Sequence, residues 1–195
     1  MSRREGYALH PKAHKALVKR STPPGQAAGG RFSAKSSQYS LQLREKQKVK
    51  RLYGLLERQF SNLMVEASRS RGQSGQVLLR LLEQRADNSV YRAGFAPSRR
   101  AARQLVTHGH FLLNGKRFDI PSLRLQPGDE LVVRDHSKQT DYFKRIDETS
   151  PAIDNAVSWV KVDRKKLTLT ITGIPAREEA EPDINEQLIV EYYSR

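Results

Sequence analysis

The sequence predicts an α+β protein with three parts: a mainly helical body, a small α/β module of two short helices on a twisted sheet, and a basic, extended N-terminal arm. Three observations carry this expectation. Leu52, Leu56, Phe60 and Leu63 recur at i, i+4, i+8 and i+11, the period of one helix face. Asn114-Gly115 directly follows the apolar run Phe111 to Leu113, the strongest short-range signal of a β-hairpin. Ser21 to Gly30, reading Ser-Thr-Pro-Pro-Gly-Gln-Ala-Ala-Gly-Gly, can neither continue a helix nor pair in a sheet.

Residues 1–40 read as the extended arm. Lys12, Lys15, Lys19, Arg20, Arg31 and Lys35 flank its Pro/Gly stretch, and such a segment buries too little apolar surface to fold alone. Leu41 to Arg69 reads as helix, with Val49, Tyr53 and Met64 broadening the stripe and Gly54 marking a break between two helices. Arg44, Lys46, Lys48, Lys50, Arg51 and Arg58 fill much of the remaining face. A cationic face of this kind is often merely solvated. Here its continuity with the basic arm favours one turned towards phosphates. Gly72-Gln73-Ser74-Gly75 ends the unit, and Ser74 is placed to cap a helix through Leu78, Leu79, Leu81 and Leu82.

Residues 87–134 are the most informative. Asp87-Asn88 starts a short helix through Val90 and Tyr91, with Gly94 as its left-handed end. Ser98 caps a second helix, on which Ala102, Leu105 and Val106 share one face while Arg99, Arg100 and Arg103 cluster on another. His108-Gly109 stops it. His110 to Leu113 is a strand, Asn114-Gly115 the turn, and Lys116 begins the return strand. That strand breaks near Ile120-Pro121, the chain turns at Gln126 to Asp129, and Glu130 to Arg134 rejoins the sheet. Ser137 to Glu148 reads as a polar helical connector. Trp159 to Val162 and Leu167 to Thr172 form two strands joined by the charged turn Asp163 to Lys166. At the end, Asp183 and Glu186 have the spacing of a capping box before a short helix, although Leu188-Ile189-Val190 also reads as strand.

Charge sets the class of partner. The 195 residues carry a net charge of +14 and a mean hydropathy of −0.69, with a pI near 10.2. A protein this basic repels itself unless a polyanion compensates it. The excess is uneven: residues 1–58 hold fourteen Lys/Arg against three Asp/Glu, and residues 151–195 hold six against eight. Polyanion contacts are therefore expected in the N-terminal half and the middle. No apolar run approaches the roughly 18 residues of a membrane span, and no secretory signal is visible, so cytoplasmic nucleic acid is expected rather than a membrane. With no cysteine there are no disulfides, thiolate zinc sites or cysteine nucleophiles.

Catalytic readings find little support. Gly72-x-x-Gly75 lacks the lysine and the context of a nucleotide loop. His10 and His14 have metal-ligand spacing, but Pro11 disrupts any helix there and no acidic partner lies between them. No nucleophile and base stand in arrangement. No cofactor, metal or small-molecule substrate is expected.

Several blocks resemble a known family. Ser37-Gln38-Tyr39-Ser40-Leu41-Gln42-Leu43-Arg44-Glu45-Lys46-Gln47-Lys48, followed by Tyr53-Gly54 and Glu57-Arg58-Gln59-Phe60, is similar to bacterial small-subunit ribosomal protein four. So are Ser98 to His110 with Asn114-Gly115, and the ending from Asp183-Ile184-Asn185-Glu186 to Tyr193-Ser194-Arg195. The middle module also occurs in pseudouridine synthases and tyrosyl-tRNA synthetases, so the first and last blocks carry the resemblance. Many members have a longer N-terminal segment, some with a cysteine-ligated zinc, which the absence of cysteine here rules out. The stretch 160–180 follows the family only loosely, and no individual roles are transferred to it.

The resemblance implies a helical body from residues 41–85, completed by 150–195, into which an RNA-binding module at 86–149 is inserted. It implies direct binding to the 5′ domain of small-subunit ribosomal RNA, nucleation of subunit assembly, and a position where mRNA enters the subunit. It also implies contacts with ribosomal proteins three and five, and a contribution to translational accuracy. The expected RNA-facing residues are Arg3, Arg4 and Lys35 in the arm, and Tyr39, Gln42, Arg44, Lys46, Lys48, Lys50, Arg51 and Arg58 in the body. In the module they are Ser98, Arg99, Arg100, Arg103, Gln104, His108, His110, Asn114 and Lys116. Arginine forks match phosphate geometry, the amides at the start of the Ser98-capped helix favour anions, and Tyr39, His108 and His110 suit base stacking as well as simple packing. The alternatives are an accessory factor acting on stalled ribosomal particles, or an RNA-modifying enzyme carrying the same module. For the latter, Arg85-Ala86-Asp87 faintly resembles a synthase catalytic motif, against the plainer reading of Asp87 as a helix cap.

Overall fold

Helical periodicity, interrupted where glycine permits, builds the first half of the chain. The structure is a computed structural model that describes residues 1–10, 12–20, 22–25, 37–151 and 157–194. It divides into two compact units, residues 1–78 with 183–195, and residues 79–182.

In the first unit, α1 (Ser2–Glu5) and α2 (Ala13–Lys19) precede the two body helices α3 (Gln38–Leu52) and α4 (Glu57–Arg69). The expected extended arm is thus helical over these two segments, and Leu9 is buried. The reason is a carboxylate: the Glu5 side chain is fully buried and pairs with Arg44 and Arg51 of α3. Lys35 lies outside the described residues. Ser37 caps α3, accepting a hydrogen bond from the Ser40 amide at 3.2 Å. Gly54, at φ 68°, makes the expected break. Because the helix breaks there, one stripe does not continue across it. Leu56 is the exposed N-cap of α4, and the buried face of that helix is Phe60, Met64 and Ala67.

The next helix, α5 (Ser74–Glu83), has Ser74 as its first residue rather than its cap, since the Val77 amide bonds back to the Gln73 carbonyl. The C-terminal segment is the helix α11 (Glu186–Tyr193), which packs on α3. Asn185, not Asp183, caps it by accepting from the Gln187 amide at 3.1 Å. A Cβ on Gly75 would stand 2.7 Å from Glu186 Cγ, so only glycine admits this approach of α11 to the start of α5.

The second unit places α6 (Ala86–Arg92) and α7 (Arg99–Thr107) beside a five-stranded antiparallel sheet of order β2-β1-β3-β5-β4. The strands are β1 (Phe111–Leu113), β2 (Lys116–Arg117), β3 (Glu130–Val133), β4 (Val160–Asp163) and β5 (Thr168–Ile171). Asn114 and Gly115, at φ 49° and 79°, form the primed turn whose twist matches the strands it joins. Gly94, at φ 72°, ends α6 as expected. Asp87 is not a cap, because Arg85 occupies that position. The core packs Val90, Phe95, Val106, Phe111, Leu125, Leu131, Trp159, Leu169 and Ile171 together.

The module was expected to end at 149, with 150–195 completing the body. Instead β5 pairs with β3 in the register Leu131 to Leu169, which draws the β4–β5 hairpin into the module sheet. Only residues 183–195 fall to the first unit. Short helical turns α8 (Asp135–Lys138), α9 (Asp141–Lys144) and α10 (Ile146–Thr149) make the connector. Arg164, in the β4–β5 turn, fastens it by donating to Asp147, Ser150 O and Gly94 O.

Candidate nucleic-acid interface

In the second unit a buried ionic cluster decides which cations remain available to a ligand. Glu83, its side chain 1% exposed, accepts two bonds from Arg92, at 2.9 and 2.8 Å, and one from Asn88 Nδ2 at 2.7 Å. Asp87 accepts a bidentate pair from Arg85, at 3.0 and 2.7 Å. Taking charges out of water is costly unless the partners are this well placed. The expected arginine trio is split by this cluster. Arg99 turns inward, donating to Asn88 Oδ1 and to Glu181, both at 2.8 Å, with its guanidinium 4.6 Å over the Tyr91 ring. Burial raises the Glu181 carboxyl, but the charge and hydrogen bond of Arg99, aided by Arg92, hold it below the ordinary range. Arg103 stands between, 38% exposed and 3.6 Å from Asp87. Arg100 alone of the three is exposed without an ion pair among the described residues.

Arg100, Gln104 and His108 are all exposed and four residues apart, so they form one ridge along α7. Near its end lies the exposed Arg117 of the edge strand β2, which the exposed Lys116 precedes. Gly109 at φ 68° lets these parts meet, since a Cβ there would approach Arg117 Nε to 3.0 Å. The sequence reading missed Arg117, although its place directly after Lys116 in an Asn-Gly hairpin was the available signal.

Other expected contacts serve the fold. Ser98 uses its hydroxyl to accept from the Ala101 amide at 3.3 Å, which takes up one of the amides expected to hold an anion. His110 Nδ1 lies 3.0 Å from Ser137 Oγ and its ring packs edge-on to Phe143. Burial, then the charges of His108 and Arg134, lower its pKa and favour the neutral ring. Asn114 is bound to β3, donating to Asp129 at 2.8 Å and accepting from the Glu130 amide at 2.9 Å.

In the first unit most of the expected phosphate-facing cations have acidic partners. Lys46 and Gln42, each 3% exposed, are interior residues. Lys46 donates to Glu57 at 2.6 Å and sits 4.5 Å over the Tyr192 ring, and Gln42 donates to Glu191 at 2.9 Å. Lys50 also reaches Glu57, at 2.7 Å, and Lys48 pairs with Glu45 at 2.8 Å. Arg44 and Arg51 hold Glu5. Burial opposes ionisation of Glu57, but hydrogen bonds from Lys46, Lys50 and Tyr193 outweigh it and bring its pKa to about 2. Arg3 donates to the Thr22 and Pro23 carbonyls, and Tyr39 leans on Tyr192 at 5.8 Å while staying half exposed. Arg4 and Arg58 are exposed, with no ion pair among the described residues.

Comparison with known proteins matches both parts of the chain. The Ribosomal protein S4/S9 N-terminal domain family covers residues 1–83, and the S4 domain family covers residues 84–131. The small ribosomal subunit protein uS4 of Pelodictyon phaeoclathratiforme is 49% identical, over 100% of this chain and 95% of its own length. This chain belongs to the uS4 family. The protein of the same name from Chlorobaculum tepidum is 47% identical, over 100% of this chain and 95% of its own length. That from Clostridioides difficile is 48% identical, over 99% of this chain and 94% of its own.

The family is one of ribosomal proteins and not of enzymes, which removes the catalytic reading of Arg85-Ala86-Asp87. Asp87 is buried under the guanidinium of Arg85 and bonded to its neighbour's amide, an arrangement that stabilises a helix start. Among the described residues no helix is long and apolar enough to cross a membrane, and no group of three or more His, Cys, Asp or Glu is placed to hold a metal.

Proposed function

We propose that this chain is a structural component of the small ribosomal subunit that binds ribosomal RNA directly through two surfaces. One is the α7 ridge with the β2 edge, presenting Arg100, Gln104, His108, Lys116 and Arg117. The other lies on the helical unit, where Arg4 and Arg58 are separate exposed cations. The observation that carries this is selective pairing: acids neutralise the inner cations one by one, yet among the described residues none pairs with these outward ones, in a family of ribosomal proteins. Arg100 and Arg117 supply planar forks, Lys116 a mobile point charge, and Gln104 and His108 bonds to ribose hydroxyls or base edges. The ion cluster beneath α7 holds the ridge rigid, so RNA is met by a preformed shape and little ordering entropy is lost on binding.

Within that role, the chain binds the 5′ domain of small-subunit rRNA, nucleates assembly and adds to translational accuracy where mRNA enters the subunit. Ribosomal proteins three and five are its neighbours there, and its place is the cytoplasmic ribosome. Family membership supports these finer points. The test is binding to the 5′ domain and to an unrelated structured RNA at two salt concentrations. The triple variant Arg100→Ala/Lys116→Ala/Arg117→Ala is measured alongside. Preference for the 5′ domain that survives high salt is expected, with the variant's log–log salt slope shallower by about 2 to 3. Equal affinity for both RNAs, vanishing with salt, would leave only a general basic binder.

A further inference from the structure

We propose that Asn114 is a deamidation site that the folded hairpin holds in check, and that its conversion takes the hairpin's cationic tip out of use. The second half rests on the RNA-binding reading above. Asn114-Gly115 is the only Asn-Gly step in the chain. In such a step the Gly115 amide nitrogen attacks Asn114 Cγ, and the bond from Cγ to the side-chain nitrogen breaks. Ammonia leaves carrying the proton from Gly115, and a cyclic imide remains. Water then opens the imide at either carbonyl, giving aspartate or isoaspartate. Glycine is the successor that hinders this attack least, because it has no side chain.

The fold opposes each requirement. Asn114 Oδ1 accepts from the Glu130 amide at 2.9 Å, and Nδ2 donates to Asp129 Oδ1 at 2.8 Å, so the carboxamide is turned onto β3. The Asn114 amide also bonds to Glu130 O at 2.9 Å, fixing the backbone of the turn. Asp129 is anchored in its turn by the Gln126 amide, 2.7 Å from Oδ2. Yet the turn is exposed, and β2 is an edge strand of two residues, so local opening is cheap. When opening and closing outpace the chemistry, the reaction rate follows the open fraction.

Conversion also cannot be undone by refolding. A carboxylate at position 114 loses the donor that Asp129 accepts and meets that carboxylate with like charge. In the isoaspartate product the backbone is one methylene longer as well. Either product puts a negative charge two and three residues along the chain from Lys116 and Arg117, the exposed β2 cations of the proposed surface.

The test is mass spectrometry of the peptide containing Asn114 after incubating the full chain at mildly alkaline pH. Wild type and Asp129→Ala are each followed folded and in urea. In urea both are expected to react at one rate. Folded wild type is expected to be slower than that by more than about tenfold, and folded Asp129→Ala several-fold faster than folded wild type. Folded wild type reacting as fast as unfolded chain would overturn the proposal, and so would a folded Asp129→Ala no faster than wild type. If circular dichroism shows that Asp129→Ala does not fold, the two wild-type arms decide. For the second half, Asn114→Asp is expected to bind the 5′ domain RNA several-fold more weakly with its fold intact. Unchanged affinity overturns that half alone, whereas failure of wild type to bind at all would instead overturn the functional reading.

Discussion

Adjacent arginines on one helix are predicted to fail in opposite ways. Arg99→Ala removes charge-assisted bonds to Asn88 and Glu181 and the stacking on Tyr91, and leaves Arg92 to compensate both Glu83 and Glu181. The side chain is only 11% exposed, so water cannot replace what is lost. Breaking a buried, multiply bonded pair of this kind costs about 2–4 kcal/mol. That corresponds to a melting temperature lower by on the order of 10 °C. Arg100→Ala removes no ion pair found among the described residues, and its stability should stay within about 0.5 kcal/mol of wild type. Its effect should appear in RNA binding, as a salt slope shallower by about 1. Thermal melts by circular dichroism and filter binding at several salt concentrations read the two effects separately. Refutation would be a reversed pattern: Arg100→Ala melting early, or Arg99→Ala keeping its melting temperature while losing the salt-dependent part of binding.

Two further predictions concern the first unit. The folded pKa of Glu57, about 2, lies below its ordinary 4.5, so ionised Glu57 stabilises the fold above pH 4.5 and that contribution fades as the pH falls towards 2. Glu57→Gln should therefore flatten the acid limb of a stability–pH curve measured by urea melts; an unchanged limb would mean that Lys46, Lys50 and Tyr193 do not hold the carboxylate. Gly75→Ala forces a Cβ to within 2.8 Å of Glu186 Cβ and should destabilise by about 1–3 kcal/mol, read as a lower urea midpoint.

Local chemistry was legible in the residue order. The Ser98 cap, the Gly94 and Gly109 helix ends, the Asn114-Gly115 turn and the break at Gly54 all appear where the sequence puts them, because each depends on one or two residues' own φ preferences or side-chain reach. The polyanionic class of partner was legible too, since net charge is a sum that folding does not alter.

Pairing across the chain was a matter for tertiary structure. Glu5 and Arg51 are 46 residues apart, Arg99 and Glu181 82 apart, and Gln42 and Glu191 149 apart. No periodicity records which acid meets which base at such separations. Hence the sequence expected Arg44, Lys46, Arg51 and Arg99 to face phosphates, and only the folded chain showed them holding acids of their own. The β4–β5 hairpin followed the same logic. Its strands were readable from alternation, but membership of the module sheet depended on the backbone edge of β3 that lay open to β5. Sequence by itself determined the body helices, the Asn114-Gly115 turn and the net charge, because those are local or additive, whereas the helices of the arm needed the buried pairing of Glu5. The tertiary structure alone decided which charges remained for a partner, because burial and pairing are properties of surfaces that meet only after the chain has closed.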